Sequence, residues 1–190
     1  MMPFITNAPF VQVERQEDET ENCIARIAAG DRSALAVLYR QTNAAVYGFA
    51  LSVLKNRQDA EDVLQDTYLR IWNTAGSYTP QGKPLAWIFT IARNLSLMRI
   101  RERSHTAAPL QEDWQSSFAD EPAVSQEDRI VLASVMKALS DQERQIVTLH
   151  AMAGFKHREI AELLDLPLAT VLSRYSRALK KLRKALEEAN

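Results

Sequence analysis

Three groups of side chains carry the chemistry available to this sequence. Arg174, Arg177 and Lys181 recur at steps of three and four, so on a helix they share a face with Thr170 and Ser173, and Lys184 extends it. Cations arrayed in this way hold phosphates, while the first turns of such a helix read base edges in a major groove. Upstream, Asp59, Asp62 and Asp66 stack along one side of a second helical run, flanked by Gln65, Leu69 and Arg70. Acids at a helix start favour the dipole, but that does not account for Leu69 and Trp72 on the same edge, which make it a docking face. Between these groups, residues 83–103 mix Lys83, Arg93, Arg99, Arg101 and Arg103 with Trp87 and Phe89. Cations interleaved with aromatics suit a surface that holds a single strand by charge and stacking. Trp87 is equally a core residue or a stacking platform, and Tyr78, Thr79 and Gln81 before it are placed to line a pocket for an extruded base.

Bond-making chemistry finds little support. His105, His150 and His157 are scattered, no Glu-x-x-His pattern accompanies the carboxylates, and Cys23 has no neighbouring base. The expectation is a protein that binds and does not catalyse, with no metal and no cofactor. A single cysteine excludes an internal disulfide and fits a reducing cytosol. The first residues, with Pro3 and Pro9 before an acidic stretch, match neither a signal nor a transit peptide, and no apolar run reaches the roughly 20 residues of a spanning helix. A cytoplasmic protein without membrane insertion is expected.

The elements that must position these groups are helices. The chain has 190 residues, 46% of them hydrophobic and 25% charged, with Gly 5 and Pro 7, a balance that favours long regular elements. Its net charge of −1 conceals segregation: basic stretches at 83–103 and 168–184 flank an acidic stretch at 104–128, as for a polyanion touched at two places, although solvated helix faces give the same pattern. Residues 1–22 lack an apolar period and read as a loose acidic tail. Helical stripes follow over 33–55, with Asp31 as N-cap, and over 59–73, with Asp59 as cap; 85–103 is a further helix after the breaker-rich loop 76–84. Residues 104–125 carry Pro109, Pro122 and no period, and read as a flexible linker. Beyond it, 126–138 is helical, Ser140 and Glu143 form a capping box, and Gly154 ends that helix. Helices at 156–164 and 168–187 flank a turn of Asp165, Leu166 and Pro167, with Ala161 and Val171 spaced for the crossing of a helix-turn-helix. A plain helical hairpin with a basic solvent face is the alternative. No stretch alternates with the period of a strand, so the fold class is all-α.

Taken in order, these runs resemble the small two-domain extracytoplasmic-function sigma factors of the sigma-70 family. Residues 59–72 look like the polymerase-binding helix of region 2.2, the run from Trp87 to Asn94 like regions 2.3–2.4, and residues 139–183 like region 4. The resemblance implies a four-helix unit at 23–103, a linker at 104–125 and a helix-turn-helix unit at 126–190, after a tail at 1–22. It implies that Asp62, Gln65, Asp66 and Leu69 bind the clamp helices of the largest polymerase subunit, and that the polymerase flap is also contacted. Tyr78, Thr79, Lys83, Arg93, Asn94, Arg99 and Arg101 would contact the −10 element, with a flipped base held by the loop 78–83. Thr170, Leu172, Ser173, Arg174, Ser176, Arg177 and Lys181 would meet the −35 element. Core polymerase, promoter DNA and an anti-sigma factor are the implied partners. Leu172, Ala169 and Met98 depart from the residues common in relatives, which bears on the promoter sequence and not on the activity. A helix-turn-helix repressor with a ligand-binding helical half, and a helical adaptor with no DNA role, are the competing readings.

Overall fold

A computed structural model describes residues 8–106 and 137–189, and among them every regular element is helical. The first unit comprises α1 (Ala8–Ala28), α2 (Arg32–Leu54), α3 (Arg57–Thr74), a single 3-10 turn (Ala75–Ser77) and α4 (Pro84–Thr106). The second comprises α5 (Asp141–Ala151), α6 (His157–Leu164) and α7 (Leu168–Ala189). No helix among these residues is long and apolar enough to cross a membrane.

Local chemistry explains most boundaries. The Asp31 carboxylate accepts from the Ser33 and Ala34 amides and starts α2. The Ser33 hydroxyl and the Arg26 guanidinium also bind it, which holds the carboxyl far below the usual range. Ser140 and Glu143 form the expected reciprocal box at the start of α5. Gly154, with φ +74°, turns the chain after α5, and the Phe155 amide then donates to the Leu149 carbonyl.

Two expectations are corrected. Asp59 does not cap α3: Asn56 does, its side-chain oxygen accepting from the Asp59 amide at 3.0 Å, so the helix starts two residues earlier and Asp59 lies in its first turn. Residues 1–22 are not a loose tail throughout, because α1 extends back to Ala8. The acids of that stretch hide no apolar period of their own, and the helix is fixed by what it meets. Thr20 is buried, and Cys23, Ile24 and Ile27 enter the core. The linker expected at 104–125 falls outside the described residues from 107 onward; residues 104–106 complete α4. The helix expected at 126–138 is likewise undescribed up to 136.

In the first unit, Leu38, Val46 and Phe49 of α2 meet Ile71 of α3 and Ile88 and Phe89 of α4, all fully buried. The Thr42 and Tyr68 hydroxyls, buried among them, satisfy each other at 2.6 Å. Arg103 pairs with Asp59, tying the end of α4 to the start of α3. In the second unit, Ile146, Leu149, Ile160 and Val171 fill the centre of three short helices. Val171 and Ala161 occupy the helix crossing, and Asp165 takes the left-handed turn at φ 55°, ψ 51°.

The two units share one apolar core. Phe155 is 4% exposed and meets Phe89 edge-on at 5.2 Å, and Phe89 meets Phe49 in the same way at 5.7 Å. Gly48 of α2 lets α5 come close: a Cβ there would lie 3.1 Å from the Met152 sulfur and 3.4 Å from Thr148 Cγ2. Two ion pairs rim the contact, Lys55–Asp141 at 2.9 Å and Lys83–Glu162 at 3.3 Å. Exposed pairs add about 0–1 kcal/mol each, so the apolar contact decides the packing. Phe155→Ala is expected to cost about 3–5 kcal/mol and to separate the units. Urea unfolding would show the loss, and small-angle scattering would show a larger radius of gyration. An unchanged radius would refute the role given to this ring.

Candidate nucleic-acid and partner interfaces

The acidic face of α3 is exposed but partly engaged. Gln65 and Asp66 lie open to solvent, and Leu69 is 59% exposed beside them. Asp62 is half-buried and receives Arg99 Nη2 of α4 at 3.3 Å. Two residues expected to serve different ligands are therefore partners, because α3 and α4 lie side by side. An apolar side chain this exposed next to carboxylates gives a face that favours a partner both basic and apolar, whose cations offset the cost of desolvating the acids.

Along α4, Asn94 and Arg101 are exposed while Arg93 is half-buried. At its start Trp87 is half-buried, which places it between the two readings left open by the sequence: one side joins the core and the other faces a cleft. That cleft, of about 370 Å³, is lined by Ser77, Tyr78, Thr79, Gln81, Lys83, Ala86, Trp87 and Thr90. The Tyr78 ring leans on Trp87 at 4.8 Å with 46° between planes. Its hydroxyl donates to Glu21 of α1 at 3.1 Å, and burial together with that carboxylate pushes its pKa up to about 12. The tyrosine thus stays a neutral donor across the physiological range. Polar rims, aromatic walls and a cation form a slot whose chemistry suits a planar, hydrogen-bonding ring. Lys83, at its edge, is paired with Glu162 of α6.

On α7 the outer residues Leu172, Ser173, Ser176, Arg177 and Lys181 are exposed, and Thr170 and Arg174 are half-buried. The Thr170 amide donates to the Pro167 carbonyl, so its backbone belongs to the turn. Arg174 and Arg177 border a shallow groove with Ser140, Asp141, Gln142 and Glu143 at the start of α5. Leu179, expected inward, is 44% exposed. Lys181 differs from its neighbours: its ammonium reaches the buried Glu143 carboxylate at 2.7 Å. It therefore anchors α7 to the capping box of α5.

Sequence reasoning missed Glu21, Glu143 as a partner of Lys181, and Glu162. Each pairs with a residue far along the chain, and no spacing signals such a contact. A further cluster closes the second unit. His150 and His157 stack at 4.5 Å, and both meet Tyr175 edge-on. His150 Nδ1 donates to the Phe155 carbonyl at 2.8 Å, which fixes its tautomer and braces the ring that bridges the units. Burial, helped by His150, lowers the His157 pKa. Among the described residues no group of three or more His, Cys, Asp or Glu is placed to hold a metal.

Burial works to raise the Glu143 carboxyl, but Lys181 and the Ser140 groups outweigh it and hold it below the usual range. A carboxyl lowered on folding stabilises at pH above its unfolded value, about 4.3, and that stability is lost as pH falls through the folded value. The urea midpoint of the protein is expected to fall between about pH 5 and 3, and to fall less in Lys181→Met. Equal slopes in the two proteins would exclude this pair as a source of acid sensitivity.

Comparison with known proteins agrees with this layout. Residues 38–106 match the family described as Sigma-70 region 2, and residues 129–182 match Sigma-70, region 4. The chain is 30% identical over 179 residues to the ECF RNA polymerase sigma factor SigK of Mycobacterium ulcerans, covering 90% of this chain and 96% of that one. It is 28% identical to SigK of Mycobacterium tuberculosis strain H37Ra, covering 91% and 96%. Among solved structures it is similar to the sigma factor RpoE from Bartonella quintana in complex with the anti-sigma factor NepR. That match has a TM-score of 0.61 and 28% identity, over 78% of this chain and 94% of that one. CnrH in complex with the cytosolic domain of CnrY shares the fold at a TM-score of 0.61 and 23% identity, over 90% and 99%.

Proposed function

The chain belongs to the extracytoplasmic-function sigma factors of the sigma-70 family, and on that basis we propose how its residues divide the work of promoter-specific initiation. The α3 face of Asp62, Gln65, Asp66 and Leu69 binds the clamp helices of the largest polymerase subunit. The cleft between loop 78–83 and Trp87, with Arg93, Asn94, Arg99 and Arg101 along α4, takes the melted −10 strand. The outer face of α7 reads the −35 duplex through Leu172, Ser173, Ser176 and Arg177, with Thr170 and Arg174 beside them. Lys181 serves chiefly to orient that helix, since its charge is already matched by Glu143. The first unit, α1 to α4 up to Thr106, and the second, from 126 to 190, act as two bodies joined by the stretch between them.

One observation carries the reading. Three faces of different chemistry stay open to solvent while the apolar faces of the two units are spent on each other. Capture of unstacked bases, worth ~1–3 kcal/mol each, works against the cost of opening the duplex. Tethering two weak DNA contacts to one polymerase gives them effective concentration at matched spacing. The chain itself makes and breaks no bond, and it acts in the cytoplasm with the polymerase.

The packed arrangement is then the resting one. Elements separated by whole helical turns, each about 34 Å, cannot both be reached while Phe155 sits on Phe89. Glu162 meanwhile neutralises Lys83 at the −10 cleft. The Bartonella relative is held by an anti-sigma factor, and a partner of that kind is proposed here to clasp the packed form.

Run-off transcription with bacterial core polymerase on a promoter library tests the whole proposal; failure to direct new start sites would end it. Asp66→Arg should abolish co-purification with core polymerase and leave the helical circular dichroism unchanged, because Asp66 is exposed. Arg174→Glu with Arg177→Glu should leave core binding intact and remove dependence on the upstream promoter element. An adaptor with no DNA role predicts that this double variant transcribes normally.

A further inference from the structure

Glu21 stands apart from the acids around it because of where its carboxylate ends. One oxygen accepts both the Tyr78 hydroxyl and the Gly82 amide, each at 3.1 Å. These donors sit at the two ends of the loop that walls the cleft beside Trp87. The loop has an internal tie between the Tyr78 hydroxyl and the Gln81 backbone, but its residues are otherwise open to solvent. It holds Pro80 and Gly82, the latter at φ +67°, and Thr79 to Lys83 are exposed. Glu21, by contrast, is mounted on a fixed support: Thr20 before it is buried, and Cys23 and Ile24 after it lie in the core. A single acceptor on a rigid helix therefore gathers two points of a pliable loop.

We propose that Glu21 is a positioning residue for base capture, holding loop 78–82 in its receptive shape before DNA arrives. The proposal rests on the reading of the Trp87 cleft as the seat of an extruded −10 base. Its physical content is preorganisation. A slot that already has its walls in place spends none of the stacking and hydrogen-bond energy of the base on ordering the loop. It also discriminates better among bases, since a loose loop adapts to the wrong one. Tyr78 is the lever: its hydroxyl is fixed by Glu21 and its ring by Trp87, so its position defines one wall.

The rival account of an acid here is electrostatic, a negative charge that simply repels phosphates from an empty cleft. The two accounts separate in Glu21→Gln and Glu21→Ala. The amide oxygen of Gln accepts the same two hydrogen bonds without the charge, and Ala accepts neither. Full-length protein in holoenzyme with core polymerase would be titrated with promoter forks. The forks carry the −10 sequence recovered from run-off selection, with each of the four bases placed in turn at every unpaired position. The wild type is expected to prefer one base at the captured position by roughly tenfold. Glu21→Ala should reduce that preference to within about threefold, and Glu21→Gln should keep it within about twofold of the wild type. If Glu21→Ala does not fold, Tyr78→Phe, which keeps the ring and removes the hydroxyl's bonds to Glu21 and to the Gln81 backbone, should lower the preference at least as far.

If both Glu21 variants bind every fork more tightly with unchanged base preference, the charge account stands and the positioning role is overturned. Unchanged preference in Glu21→Ala without tighter binding overturns the positioning role as well. If the wild type shows no preference at any unpaired position, the cleft is not the seat of a base, and both the reading and the inference fall together.

Discussion

The ring of Phe155 resting on Phe89 is the contact on which this architecture turns. It makes one core out of two units that could each be smaller and self-contained, and it carries Phe49 as a third member of the same row. Burial of aromatic surface is strong but without preference for partner. The sharing is specific because of shape: Gly48 removes a side chain where Met152 and Thr148 approach, and the turn at Gly154 aims Phe155 into the gap. Around this apolar junction the ion pairs Lys55–Asp141 and Lys83–Glu162 form part of a polar rim.

Charges are arranged on a different logic. Most of the acidic and basic groups of interest are matched inside the chain: Asp62 with Arg99, Asp59 with Arg103, Lys83 with Glu162, Lys181 with Glu143. The pairs within a unit orient helices, whereas Lys83–Glu162, like Lys55–Asp141, spans the two units. Exchange of Glu162 for phosphate at Lys83 costs little, because both partners are anions at an exposed site.

How much of this could be read from the residues depended on distance along the chain. The capping box of Ser140 and Glu143, the left-handed Asp165 and the spacing of Ala161 and Val171 are local patterns with local causes, and the structure reproduces them. The cap of α3 was misread by a few residues because Asn56 and Asp59 are both competent acceptors, and only the backbone geometry chooses between them. The extent of α1 is hidden in the sequence because tertiary contacts secure it: Thr20, Cys23 and Ile24 in the core and Glu21 on the loop 78–82. The same holds for the site. The cationic face of α7 and the acidic face of α3 follow from periodicity. The contacts of Glu21 and Glu162 with the rim of the Trp87 cleft join residues 57, 61 and 79 positions apart, and no periodicity spans such gaps.

Lys55 shows what this costs. It ends α2 in the left-handed region at φ 55°, where an ordinary L-residue sacrifices about 1–2 kcal/mol that glycine would spare. Glycine, however, has no ammonium to extend across to Asp141. The position serves two masters, the stop signal of one helix and the handshake between neighbours, and it cannot be ideal for both. Selection for a sturdier first bundle would drift toward glycine here and slacken the clasp. Selection for a tighter clasp would retain the strained lysine, so the residue found at this corner in any descendant records which demand prevailed.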